Sequence, residues 1–256
     1  MIDDRLRRAV RERAPLVGTF VKSHGHEVTE VLGGTGIDFV VLDGEHAPLG
    51  LDRIDRLVLG ARSAGLPCLV RLPALAPALA GQMLDLGAAG IVVPHVADAA
   101  AAEAAVREAR YAGGGRGYSP STRAARYGVD GDGGHAARAD AATVVWCQIE
   151  DAAALDRLDD IAAVEGVDAL FIGRADLALS LGVAPDHARI GEAVRAIAEA
   201  GQRHGRAVAI YVASMDEARE LRALGISIFV CGSDLSHLAA AGRALAASRA
   251  GLTGSP

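Results

Sequence analysis

The chain has 256 residues, of which 51% are hydrophobic. This length predicts one large domain or two small ones, and the hydrophobic content is enough for a core that needs no disulfide bonds. Its net charge of -6 gives no basic surface for a nucleic-acid partner, and no apolar run is long enough to cross a bilayer. Each of the three cysteines, Cys68, Cys147 and Cys231, lies in a strand-like apolar run. We therefore expect reduced thiols in a cytoplasmic protein, and the charged start "MIDDRLRRAVRERA" has no apolar signal-peptide core.

Short apolar, β-branched runs alternate with helical patterns along the chain. The predicted strands are 16–22, 38–43, 67–73, 90–96, 143–150, 168–173, 207–213 and 227–232. Helical patterns such as 51–65 and 98–111 lie between them. Continuous apolar strands indicate burial on both faces, as in a parallel sheet covered by helices.

Eight strand–helix units in a chain of this length predict a TIM (β/α)8 barrel, an α/β fold that forms a single domain over 1–256. The rival fold is a doubly wound open sheet. It would usually need fewer strands and often carries a glycine-rich fingerprint, and neither GxGxxG nor a P-loop pattern occurs in the sequence.

One segment interrupts the alternation. The stretch 111–140 is long, rich in glycine and arginine, and predicts a long loop. Insertions of this kind are usually functional or mobile. Because the loop follows a helix, it should lie on the face opposite the active site unless it runs up the barrel or reaches a neighbouring subunit. A plain surface loop remains an equal alternative, and we expect 251–256 to be a flexible tail.

Polar residues stand where the predicted strands end, and in a TIM barrel these carboxyl ends form the reaction site. In "VVLDGEHAPLG" the second strand ends in Asp43, Glu45 and His46. The other ends carry Lys22, Ser23 and His24, then Arg71, His95, Gln148, Glu150, Asp176, Ser233 and Asp234. Each residue alone has an ordinary alternative role as a helix cap, a surface ion pair or a histidine bonded to a backbone carbonyl. Their convergence on one rim predicts an active site.

The residue types at this rim suit enolate chemistry. Glu150 and Asp176, on neighbouring strands, can hold one hard divalent cation such as Mg²⁺ or Mn²⁺. Arg71 can stabilise a developing oxyanion, and His46 can move a proton near neutral pH. Together they favour activation of a 2-oxo acid. A Schiff base on Lys22, the only lysine, is the alternative, but it would leave the acid pair without a role.

Four stretches resemble the motifs of a known family, the HpcH/HpaI aldolases, which are class II pyruvate aldolases. They are "FVVLDGEHAP", "VRLP", "QIE" and "VEGVDALFIGRADLALSLG". The family includes 4-hydroxy-2-oxoheptanedioate aldolase and aldolases of 2-keto-3-deoxy sugar acids. The resemblance implies a homo-oligomer, a hexamer or trimer of dimers, in which barrels exchange a C-terminal helix. The tail "LSHLAAAGRALAASRAG" suits that helix, although any final barrel helix would look similar.

The resemblance also implies a role for each matching residue. Glu150 and Asp176 would bind the divalent metal, with Co²⁺ as a further candidate. Arg71 would hold the pyruvyl oxygen, and His46 would be the base, acting through a metal-bound water and oriented by Asp85. The remaining residues of the site would be Asp43 and Glu45 as supports, and Gln148, Gly173, Arg174 and Ala175 at the substrate, whose carboxylate the backbone N–H groups around Ala175 and Asp176 would bind.

These implications give one hypothesis and its alternatives. The protein would be a metal-dependent lyase that cleaves 4-hydroxy-2-oxo acids to pyruvate and an aldehyde through a metal-bound pyruvate enolate. The same enolate site would suit an oxaloacetate decarboxylase or a CoA-ester lyase, and a non-catalytic metabolite-binding barrel is the least favoured reading. Arg174 stands where the family commonly has proline, so its guanidinium could contact an acidic aldehyde or point to solvent.

Overall fold

The structure is a computed structural model that describes residues 3–129, 131 and 133–249. Eight strands form one closed parallel barrel in the order in which they occur along the chain. They are β1 (Leu16–Val21), β2 (Phe39–Asp43), β3 (Cys68–Arg71), β4 (Gly90–Val93), β5 (Val144–Ile149), β6 (Ala169–Ile172), β7 (Ala207–Val212) and β8 (Ile228–Ser233). Every predicted strand is confirmed, and the TIM-barrel prediction with it. The expected tail 251–256 lies outside the described residues.

Helices surround the barrel. They are α1 (Arg5–Arg11), α2 (Glu27–Gly33), α3 (Leu51–Ser63), α4 (Pro77–Asp85), α5 (Ala99–Ala109), α6 (His135–Ala142), α7 (Leu158–Ala163), α8 (Arg174–Leu181), α9 (Ala188–Arg203), α10 (Met215–Arg222) and α11 (Asp234–Ser248). No helix among these described residues is long and apolar enough to cross a membrane. The segment 111–140 follows α5; it contains a short 3-10 turn at Arg126–Gly128 and ends inside α6.

Two apolar cores account for the continuous apolar strands. Side chains on one face of each strand fill the barrel interior, where Phe39, Trp146 and Phe171 are fully or almost fully buried. Side chains on the other face pack against the surrounding helices. Helix α1 closes the end of the barrel where the strands begin, because its Leu6 and Val10 join the interior core. The opposite mouth, where the strands end, therefore stays available for polar side chains.

Candidate active site

Three adjacent strands bring a lysine, an aspartate and an arginine to the same level of the barrel mouth. Asp43 pairs with Arg71 in the register of β2 and β3, and Val21 pairs with Leu42, so Lys22 stands beside Asp43. The carboxylate of Asp43 is 0% exposed. Its Oδ1 accepts hydrogen bonds from Nε and Nη2 of Arg71, at 3.0 Å and 2.8 Å, and its Oδ2 lies 2.9 Å from Nζ of Lys22.

Two cations stabilise the charged form of this buried carboxylate. Burial by itself raises the pKa of Asp43, but the positive charge of Arg71, the backbone N–H of His46 and the ammonium of Lys22 together lower it below its usual value. Asp43 is therefore ionised at neutral pH. An ionised Asp43 fixes the plane of the Arg71 guanidinium, and its role as a support of the substrate site stays a prediction.

Glu45 and His46 follow β2 and complete this side of the mouth. Oε2 of Glu45 lies 3.1 Å from Nη1 of Arg71, so the guanidinium is held by two carboxylates. The backbone N–H of His46 donates to Asp43 at 3.0 Å, which fixes the chain at this histidine. The imidazole is half exposed, with its Nε2 3.8 Å from Glu45. A half-exposed imidazole can exchange protons with a bound molecule, and the role of His46 as a base stays a prediction.

Glu150 lies directly after β5 and is 1% exposed. One oxygen accepts a hydrogen bond from the backbone N–H of His95 at 2.9 Å, and the other accepts a very short one from the side-chain amide of Gln148. Burial raises the pKa of Glu150, and the nearby carboxylate of Glu45 raises it further, against the opposing effects of His95 and Gln148. A buried acid of this kind is stabilised in its charged form by a cation.

Gly173 leaves the space that this carboxylate occupies. A Cβ atom at position 173 would lie 2.6 Å from Oε2 of Glu150 and 3.2 Å from Nε2 of Gln148. Glycine is therefore required here by close approach rather than by its backbone angles. Gln148 and Gly173, two of the predicted substrate-binding residues, thus lie directly beside Glu150.

The donor set at the mouth fits a divalent cation. Among the described residues, ligand atoms of Glu45, His95 and Glu150 all lie within 4.8 Å of one another. Two carboxylates and an imidazole suit Mn²⁺ or Co²⁺, and carboxylates alone suit Mg²⁺. The predicted pair was Glu150 and Asp176, and Asp176 lies in the first turn of α8, just beyond the end of the neighbouring strand β6. Only Glu150 belongs to both sets.

The sequence alone gives His95 no clear role, and the structure places it among acids. Its backbone has a φ of 55°, a left-handed conformation that is uncommon for histidine. Its ring lies 3.5 Å from Glu150, 3.2 Å from Asp151 and 3.7 Å from Glu45. Partial burial lowers the pKa of His95, but these carboxylates, Glu150 foremost, outweigh it and raise the pKa. No local sequence pattern signals such a backbone conformation.

Arg174 and Ala175 open helix α8 at the end of β6, as predicted. The guanidinium of Arg174 is already engaged. Its Nη2 lies 2.7 Å from Glu217 and donates to the backbone carbonyl of Tyr211 at 2.8 Å. These contacts link the ends of β6 and β7 to α10. The side chain of Arg174 is still 30% exposed, and its contact with an acidic aldehyde stays a prediction.

Asp85 does not meet His46 within the chain. It is the last residue of α4, and a helix that returns antiparallel to the strands ends at the face where the strands begin. There it lies 2.7 Å from Nη2 of the buried Arg116 and accepts a weak hydrogen bond from the Tyr111 hydroxyl at 3.4 Å. The prediction that Asp85 orients His46 therefore does not hold inside one barrel.

Comparison with known proteins agrees with this geometry. The family model of the HpcH/HpaI aldolase/citrate lyase family matches residues 16–241. The 5-keto-4-deoxy-D-glucarate aldolase of Shigella dysenteriae is 34% identical over 221 residues, which make up 85% of this chain and 86% of that one. A crystal structure of a HpcH/HpaI aldolase/citrate lyase family protein from Burkholderia cenocepacia has 32% identity and a TM-score of 0.91, over 96% of this chain and 100% of its own. An HpcH/HpaI aldolase from Desulfitobacterium hafniense has 26% identity and a TM-score of 0.87, over 98% of this chain and 97% of its own.

The family match spans most of the chain, and it includes the strands that carry Arg71 and Glu150. Relatives that share a third of the sequence over most of their own length are aldolases, which are carbon–carbon lyases. The chain is a lyase of this kind, and it belongs to the HpcH/HpaI aldolase/citrate lyase family.

Proposed function

We propose that the protein cleaves a 4-hydroxy-2-oxo acid into pyruvate and an aldehyde, and that it runs in reverse when the aldehyde is in excess. The observation that carries this proposal is the position of Arg71. Its guanidinium is buried, oriented by Asp43 and Glu45, and set at the same mouth as the acidic cluster around Glu150. A fixed guanidinium of this kind stabilises an oxyanion that develops on a bound 2-oxo acid.

Glu150 and Asp176 are the residues that we expect to hold a divalent cation, Mg²⁺ or Mn²⁺, with Glu45 and His95 beside them. Such a cation, when bound, supplies Lewis-acid polarisation of the keto and carboxylate oxygens of the 2-oxo acid. The first N–H groups of α8, at Arg174 to Asp176, have no partner within the helix and can donate to the substrate carboxylate.

The chain's own side chains then account for the proton and electron movements. His46 removes the proton of the C4 hydroxyl, and the electron pair of that oxygen forms the carbonyl of the aldehyde. The C3–C4 bond breaks, and its electrons move into the enolate, whose C2 oxygen is stabilised by the N–H donors of Arg71. The proton that His46 removed is then returned to C3 of the enolate, which releases pyruvate and restores His46 as the base. In the reverse direction the same groups act in the opposite order.

Two further predictions need a second copy of the chain. If Asp85 orients His46, it does so from a neighbouring barrel, because its own barrel places it at the other end. Helix α11 supports an assembly, since the described part of this helix beyond Asp234 is exposed along its whole length. We propose a hexamer with exchanged C-terminal helices. The three free cysteines agree with a cytoplasmic location.

Pyruvate release coupled to lactate dehydrogenase tests the proposal. A panel of 4-hydroxy-2-oxo acids, with oxaloacetate included, is assayed with Mg²⁺ or Mn²⁺, with a chelator, and with the Glu150→Gln variant. We expect metal-dependent cleavage that is lost in Glu150→Gln, while Glu165→Gln, an exposed acid at the opposite end of the barrel, stays active. Full activity after chelation would refute the metal requirement. Turnover of oxaloacetate alone would identify a decarboxylase instead.

A further inference from the structure

Lys22, the only lysine of the chain, lies at the mouth of the barrel and faces the site. It directly follows β1, whose last register pair with β2 joins Val21 to Leu42, and the residue two positions earlier, Phe20, belongs to the interior core. Side chains that alternate along a strand return to the same face after two residues, so Lys22 points inward as Phe20 does. Its side chain is 30% exposed, which leaves the ammonium accessible from the mouth.

The ammonium of Lys22 has more N–H donors than its contact with Asp43 requires. A lysine carries three N–H donors, and within the described part of the chain the Lys22 ammonium has one polar partner, Oδ2 of Asp43 at 2.9 Å. Two donors therefore remain for an anionic oxygen of a bound molecule.

A shared aromatic ring places this ammonium next to the enolate side of the site. Cζ of Arg71 lies 4.7 Å from the centre of the Phe20 ring, and Nζ of Lys22 lies 5.9 Å from the same centre. Both cations also contact the one carboxylate of Asp43. A substrate whose 2-oxo group is held by Arg71 thus has its other end within reach of Lys22.

The two arginines at the mouth, Arg71 and Arg174, each contact a carboxylate of the chain. Arg71 donates two hydrogen bonds to Asp43 and forms an ion pair with Glu45, and we assign its remaining donors to the 2-oxo group. Arg174 is bound by Glu217 and by the carbonyl of Tyr211. The contacts of Arg174 hold its Nη2 against α10 and the end of β7, whereas Lys22 shares Asp43 and the Phe20 ring with Arg71. Lys22 is therefore the cation that lies beside Arg71, where we expect the half of the substrate that becomes the aldehyde.

We propose that Lys22 binds a carboxylate on the aldehyde half of the substrate, so that the enzyme selects aldehydes that carry an acid group next to the reacting carbonyl. This inference rests on the proposed aldolase function and adds its substrate class. A charge-assisted hydrogen bond from Lys22 to such a carboxylate would distinguish it from a neutral hydroxymethyl group of similar size. The residue determines specificity and takes no part in bond breaking.

Two five-carbon substrates test this. 4-Hydroxy-2-oxopentanedioate has a carboxylate on its aldehyde half, and 4,5-dihydroxy-2-oxopentanoate has a hydroxymethyl group at the same place. For each, kcat/KM is measured in the wild type and in the Lys22→Met and Lys22→Arg variants. We expect the acid-to-neutral ratio of kcat/KM to fall by roughly tenfold to a hundredfold in Lys22→Met. Lys22→Arg should restore most of the ratio, since it keeps the charge.

Exchange of the methyl protons of pyruvate in D2O, followed by proton NMR, reports the enolate half alone. A wild type that neither exchanges pyruvate nor cleaves either substrate would refute the aldolase function itself. A wild type that does both, with a ratio unchanged in Lys22→Met, would refute only the role of Lys22. If exchange and both cleavages fall equally in Lys22→Met, the lysine merely supports Asp43 and the inference is likewise wrong.

A binding measurement covers the case in which turnover is slow. Thermal shifts of the wild type are compared for 2-oxoglutarate and 2-oxopentanoate, which have the same chain length and differ by one terminal carboxylate. We expect 2-oxoglutarate to stabilise the wild type more than 2-oxopentanoate, and this difference to disappear in Lys22→Met. Equal shifts for the two acids in the wild type would count against an acid-binding role.

Discussion

The buried carboxylate of Asp43 accepts two hydrogen bonds from the guanidinium of Arg71, at 3.0 Å from Nε and 2.8 Å from Nη2. Both donors go to one oxygen, which leaves the other oxygen for Lys22. This contact, together with the one to Glu45, fixes the plane of the guanidinium and the direction of its remaining donors. The orientation of the proposed oxyanion-stabilising group therefore depends on a fully buried residue, Asp43.

The substitution Asp43→Asn removes the charge and keeps the shape. We expect kcat to fall about a hundredfold, because a guanidinium displaced by a fraction of an ångström no longer meets the developing charge. We also expect the free energy of unfolding to fall by about 3 kcal/mol, since a buried ion pair loses one partner and Arg71 keeps only Glu45. Steady-state kinetics and urea unfolding measure the two effects. Asp52→Asn, an exposed acid of α3, is the control and should change neither.

The stability difference between the wild type and Asp43→Asn should also depend on pH. Because the folded state lowers the pKa of Asp43, the ionised carboxylate contributes stability fully above the usual aspartate pKa of about 3.9. This contribution is lost as the pH falls through that value towards the lower pKa of the folded state. We expect a constant difference from about pH 5 to 7 and a shrinking one below pH 4. A difference that persists unchanged at low pH would contradict the assignment of a lowered pKa.

Gly173 offers a steric test of the acidic cluster. In Gly173→Ala the new methyl group would lie 2.6 Å from Oε2 and 2.8 Å from Cβ of Glu150, so the carboxylate must move. We expect the affinity for Mn²⁺ to fall by roughly tenfold to a hundredfold, as it does when groups that support metal ligands are displaced. Titration calorimetry with Mn²⁺ measures it. Gly117→Ala, where nothing lies within 4 Å of the added methyl, should bind Mn²⁺ as the wild type does.

The barrel could be predicted because its signals are local. Each strand is a short apolar run with a helical pattern after it, and the ends of the predicted strands differ from the observed ones by three residues or fewer. The residues at the strand ends could be predicted for the same reason. Asp43, Arg71 and Glu150 follow from strand position alone, because parallel strands in a barrel all end on one rim.

Side-chain partners could not be predicted in this way. Nothing in "VVPHV" indicates the left-handed backbone that places His95 against Glu150, and nothing in "GRAD" indicates that Arg174 is bound by Glu217, a residue 43 positions later. Asp85 shows the limit of reasoning from a matching motif. The motif identifies the residue, but the direction of α4 places it at the opposite end of its own barrel.

The two candidate ligand sets for the cation predict different variants to fail. If Glu150 and Asp176 hold Mn²⁺, Asp176→Asn should abolish binding, and His95→Ala should weaken it only modestly, because hard cations prefer oxygen ligands. If the cluster of Glu45, His95 and Glu150 holds Mn²⁺, His95→Ala should abolish binding and Asp176→Asn should weaken it only modestly. We expect the first result, with Glu150→Gln defective in either case. Mn²⁺ titrations followed by electron paramagnetic resonance distinguish the two, and Glu165→Gln should leave the affinity unchanged.

Helix α11 carries large apolar side chains that are exposed to solvent in the single barrel. Leu238 is 70% and Leu245 75% exposed, and their spacing of seven residues places them on the same side of the helix. If this side packs against a neighbouring barrel, Leu238→Glu with Leu245→Glu should reduce the mass measured by light scattering and leave the thermal midpoint of the barrel nearly unchanged. Ala240→Glu with Ala247→Glu adds the same charge to the opposite side and should keep the wild-type mass. Equal masses for all three proteins would contradict an assembly through this side of α11.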